Sequence, residues 1–128
     1  MKKLNKILLV LVTLCVTNVF AQTNGKYHSS KTINDYKIEV KTKTQLAQGL
    51  NNIDVKIRKK SRIINNADVT LSILHPNNSV IEYKRNMTNE NKYYSFNINL
   101  PVIGEYSYVL TFSRNGGVQR KIRGNLSL

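Results

Sequence analysis

The sequence predicts an all-β fold, a seven-stranded antiparallel immunoglobulin-like β-sandwich without a disulfide. Three observations predict it. From Asp35 to Leu128 apolar and polar residues alternate with period two, and helical periodicity does not recur. Turn residues break that alternation at short spacing, as they do in sandwiches of about 100 residues. The sole cysteine, Cys15, lies in an apolar leader, so the remainder has neither thiol nor disulfide and must rely on core packing and the hydrogen-bond ladder.

The leader is the first element. Met1 to Lys6 is basic, Ile7 to Val19 is apolar apart from Thr13, Thr17 and Asn18, and Val19-Phe20-Ala21 offers a cleavage site. That order predicts a secretory signal peptide over 1–21 and a secreted, periplasmic protein. The run is shorter than the roughly 20 apolar residues that span a bilayer, and no later stretch approaches that length. Leu14 before Cys15 argues against a lipid-anchored cysteine. Cleavage removes Lys2, Lys3 and Lys6 and lowers the formal net charge from +13 to +10. A chain this basic is drawn to anions; export makes nucleic acid a poor candidate and favours an envelope protein or an anionic surface polymer.

Residues 22–34 are polar and aperiodic and predict a flexible N-terminal arm. The sandwich domain then runs over 35–128. Strand A is Tyr36 to Thr44, with Tyr36, Ile38, Val40 and Thr42 on one face and Lys37, Glu39, Lys41 and Lys43 on the other. Strand B is Ile53 to Lys59, strand C Ala67 to His75, and Pro76-Asn77-Asn78 turns the chain into strand D, Ser79 to Lys84. Strand E is Tyr93 to Leu100 and strand F Tyr106 to Ser113. Asn115-Gly116-Gly117 is a hairpin signal leading to strand G, Val118 to Leu128.

The most specific stretch runs from Leu100 to Tyr108. Pro101 makes a corner and Gly104-Glu105-Tyr106 follows it. In immunoglobulin domains a tyrosine at the start of strand F bonds back to the backbone of the E–F corner, and Tyr106 fits that role with Pro101 and Gly104 as its structural companions. Tyr36-Lys-Ile38, Leu46 to Gly49, Asn52 to Ile57, Asn66 to Leu71, the corner and Gly104-Glu-Tyr106 together resemble the YtkA-like and FixH-like domains of bacterial envelope proteins. The resemblance covers residues 35–128. It implies an immunoglobulin-like, non-enzymatic module, linked in several members to copper handling or to assembly of copper-containing machinery. Many members carry a Met-Pro motif after the strand matching C. Here that place reads Leu74-His75-Pro76, without the methionine.

Candidate sites follow from what remains after the leader. His75 and Met87 are the candidate copper ligands; six residues of strand D separate their two ends by roughly 20 Å, so only different molecules could share an ion between them. No cofactor is otherwise expected. The seven carboxylates are scattered, the histidines occupy an arm and a turn, and no nucleophile has a base beside it, so no enzyme is expected. The basic residues carry more. In a sandwich the B–C, D–E and F–G loops share one pole. Arg58, Lys59, Lys60, Arg62, Lys84, Arg85, Lys92 and Arg114 fall at or beside those loops and predict a basic docking pole. The opposite pole, with Leu46, Leu50, His75, Pro76, Val102 and Ile103, is nearly uncharged, and Arg120, Lys121 and Arg123 form a stripe on strand G. The expected function is an accessory or binding module of the cell envelope tied to metal transport or respiratory assembly. The alternative is an adhesion module that grips an anionic polymer or acidic protein through the basic pole.

Overall fold

The computed structural model describes residues 25–85 and 93–128. The leader, Met87 and Lys92 lie outside the described residues. Nine strands run through them, with no helix: β1 Lys26–Ile33, β2 Tyr36–Gln45, β3 Gly49–Lys59, β4 Arg62–Ile63, β5 Ala67–Leu74, β6 Val80–Arg85, β7 Tyr94–Leu100, β8 Glu105–Arg114 and β9 Arg120–Ser127.

They form two antiparallel sheets. In sheet A the order is β1-β2-β3, and β3 then pairs along its far edge with β7 and, at its end, with the short β4. Sheet B has the order β6-β5-β8-β9. The sheets pack face to face, because alternation buries one face of each. From sheet A come Ile38, Val40, Ile53, Val55, Ile57, Phe96 and Ile98. From sheet B come Val69, Leu71, Ile73, Leu110, Phe112 and Leu126. Each fully buried side chain of this size contributes about 1.5–3 kcal/mol by leaving water. Tyr108 is also buried.

Three sequence expectations need correction. The count is nine strands among the described residues rather than seven. The segment expected to be a flexible arm is ordered from Lys26 onward as β1, which zips onto β2 from Ile33↔Tyr36 to Lys26↔Gln45 with one irregularity near His28. Its polar composition hides it: only Tyr27 and Ile33 pack against the core, and the rest is held by the backbone ladder. Strand B starts four residues earlier than alternation indicates. Asn51 accepts from Ala47 N at 2.9 Å and donates to Ala47 O at 2.7 Å, so a side chain that reads as loop is satisfied within β3.

At the strand D turn, His75 N donates to Ser79 O at 2.8 Å and Asn78 N to His75 O at 2.9 Å, with Asn78 at φ 68°. This tight turn lays β6 directly beside β5. β6 is the edge of sheet B, and Ile81 on it is half exposed.

Candidate functional site

One end of the molecule gathers the β1–β2 turn, the β3–β4 hairpin, the entry to β5 and the link from β8 to β9. Its floor is aromatic. Tyr36 is buried and meets Phe112 edge-on with ring centroids 5.3 Å apart. Tyr94 is buried too; its hydroxyl donates to Ile64 O at 2.7 Å and accepts from Ala67 N at 3.1 Å, which ties sheet A to the start of sheet B. Burial raises the Tyr94 pKa, and the hydrogen bond from Ala67 N partly opposes that rise.

Cations stand on this floor. Lys59 lies over the Tyr36 ring at 5.4 Å and Arg120 over the same ring at 4.8 Å, one from each sheet. Such contacts each contribute about 0.5–1 kcal/mol where exposed. Lys59 pairs with Arg62 across a two-residue loop in which Lys60 and Ser61 both have positive φ, 49° and 75°. Two-residue hairpins of this kind favour Asn-Gly, because side chains with a Cβ are strained there. Lys60, at the tip of this turn, is exposed. Arg58 lies opposite Lys37 on β2 and Ile63 on β4, and Arg114 opposite Ala67. The Nε atoms of Arg58, Arg114 and Arg120 are buried and have no hydrogen-bond partner among the described residues.

The structure therefore brings together Arg58, Lys59, Lys60, Arg62 and Arg114. Lys84 sits on β6 opposite Thr70, one residue in from the row of Arg120, and its ammonium lies 3.8 Å from the Glu82 carboxylate. Arg85 is placed by its backbone opposite Val69. Sequence reasoning left Arg120 in a stripe along strand G. It missed that Arg120 crosses to the Tyr36 ring of the other sheet. The signal was the inward tyrosine at the start of strand A, but only the packing of the two sheets tells which cation reaches it.

The opposite end carries Leu50, Val102 and Ile103 exposed. Tyr106 Oη donates to Val102 O at 2.6 Å and accepts from Val102 N at 3.0 Å, closing the E–F corner. Gly104 adopts φ 151°, and a Cβ there would stand 3.0 Å from Pro76 Cγ; its backbone exchanges two hydrogen bonds with Leu128. His75, read from sequence as a turn residue available to metal, is buried edge-on against Tyr106 at 5.1 Å between ring centroids. Its Nε2 has no hydrogen-bond partner among the described residues. Among the described residues, no three His, Cys, Asp or Glu side chains converge to hold a metal ion, and no helix is long and apolar enough to cross a membrane.

No family model matches this chain, and no curated protein matches it. Among solved structures it is similar to a DUF4426 family protein from Pseudomonas aeruginosa, with a TM-score of 0.65 at 12% identity. The match covers 79% of this chain and 94% of the other. At that identity the likeness is one of fold: a small β-rich domain of two packed sheets.

Proposed function

We propose that this chain is a non-enzymatic binding module, exported to the cell envelope, that docks an anionic partner through its basic pole. One observation carries the reading. Lys59 and Arg120 meet over the buried Tyr36 ring from opposite sheets, and Lys60, Arg62 and Arg114 lie at the same end. Holding like charges together destabilises a fold, and Lys59 opposite Arg62 is such a cross-strand pair. A bound anion relieves that repulsion, and the exposed side chains of Lys60 and Arg62 are donors of the kind carboxylates and phosphates accept from. The leader supports export, and the tyrosine corner with the hairpin-joined β5 and β6 supports an immunoglobulin-like topology of the YtkA-like or FixH-like kind. The metal-linked reading has less behind it, because His75 is buried against Tyr106.

The test replaces Lys59, Lys60 and Arg62 with glutamine and measures sedimentation with envelope fragments at low and high salt. Association that falls at least about tenfold in the variant, and weakens with salt in the parent, supports the reading. Association unchanged by the three substitutions overturns it.

A further inference from the structure

The outer face of sheet A holds a second cationic surface, away from the aromatic floor of the pole. Alternation puts Lys37, Lys41 and Lys43 of β2 and Lys56 and Arg58 of β3 on that face. From Lys37 to Lys43 it runs about 20 Å at roughly 3.3 Å per residue. Glu39 and Asp54 are the two carboxylates among them, and both are engaged. Glu39 meets His28 at 3.4 Å, and that hydrogen bond is the main cause lowering its pKa. Asp54 is buried, accepts from Ser95 Oγ at 2.5 Å and stands 3.9 Å from Lys43 Nζ.

At the centre of this track is an aromatic ring. Tyr93 lies with Lys41 Nζ 4.6 Å and Lys56 Nζ 4.8 Å from its centroid, and Lys41 also donates to its hydroxyl at 2.9 Å. Beside it is a shallow depression of about 250 Å³ lined by Lys41, Lys43, Asp54 and Tyr93. Two chemistries meet here: ammonium groups for an anion and a ring for an apolar sugar face.

We infer that this face binds an acidic polysaccharide, with one uronate-type sugar seated in the depression against Tyr93 and its neighbours laid along the lysines of β2. Length favours an extended polymer over a single headgroup. The Tyr93 ring decides between polymers: an apolar sugar face packs against it, whereas a polyphosphate offers no such face. The depression shares no residue with the cluster over Tyr36 and does not depend on the reading given to that end.

Calorimetry of the leader-free chain with a short linear polyuronate, a neutral dextran and a linear polyphosphate tests the inference. The polyuronate is expected to bind, with dextran and polyphosphate weaker by at least about tenfold. Tyr93→Ala and the double variant Lys41→Ala, Lys56→Ala should each lose about tenfold, while Tyr93→Phe keeps the ring and most of the affinity. All three variants alter exposed or half-exposed side chains, and an unchanged melting temperature verifies their folds. Absence of polyuronate binding overturns the inference, as does binding indifferent to Tyr93 and the lysines, or polyphosphate bound equally well. Binding lost only in Lys60→Gln, Arg62→Gln moves the polymer to the pole, overturning this site while leaving the docking role of that end intact.

Discussion

Tyr108 leaves the core sideways. Its ring lies across Gly124 of β9, where a Cβ would stand 2.4 Å from Cζ, so only glycine lets it pass. Beyond that gap its hydroxyl meets the Tyr27 hydroxyl of β1 at 2.8 Å, and the rings pack edge-on at 5.9 Å. Burial first, and the bond to Tyr27 second, raise the Tyr108 pKa far above the ordinary tyrosine range. The folded state therefore holds its phenolic proton where the unfolded chain, with a value of about 10, releases it. The stability this supplies is complete below about pH 10 and is lost as pH rises above that value toward the folded pKa. Denaturant midpoints measured from pH 8 to pH 11 should fall above about pH 10, and Tyr108→Phe should flatten that fall. Equal slopes in the two proteins would remove Tyr108 from the account. The alternating pattern marked Tyr108 as inward. It carried no sign of Tyr27, because nothing local links positions so far apart in the chain.

At the scale of elements, alternation located strands A to G closely where one face is apolar: Tyr36–Gln45 as β2, Ala67–Leu74 as β5 and Glu105–Arg114 as β8. It failed at β1, where the chain buys its place through backbone pairing. Lys31 Nζ reaches across to Arg123 O on β9, and Tyr27 N donates to Thr42 Oγ1 at 2.8 Å, so β1 seals both the edge of sheet A and the seam to sheet B. Truncating residues 22–33 should lower stability by at least about 2 kcal/mol, since it bares the β2 edge, exposes Tyr27-covered surface and orphans the Tyr108 hydroxyl. Urea titration of the truncated chain checks this; an unchanged midpoint would mean that β1 contributes nothing. The Lys60-Ser61 turn is the other local surprise. Its residues are not those a tight hairpin prefers, and a hairpin was illegible there for that reason.

For the whole molecule, charge dominates. A formal net charge of +10 without the leader is held on about 107 residues, with cations at one end and along the outer face of sheet A. Repulsion among them opposes the compact state, and salt screens it over about 10 Å at 0.1 M. The melting temperature should therefore rise from low to moderate sodium chloride, and rise less in the Lys59, Lys60 and Arg62 glutamine variant. A melting temperature indifferent to salt would show that these charges are too far apart to matter. The amino-acid sequence by itself determined the β class, the inward faces and the placing of basic residues near strand ends, because period-two alternation and turn chemistry act over a few neighbours. Only the tertiary structure decided that a polar N-terminal segment is a strand, that His75 is buried beneath Tyr106, and that Arg120 and Lys59 share one tyrosine. Those outcomes depend on which sheets meet and which edges are left open, and they arise from contacts between residues distant in the chain.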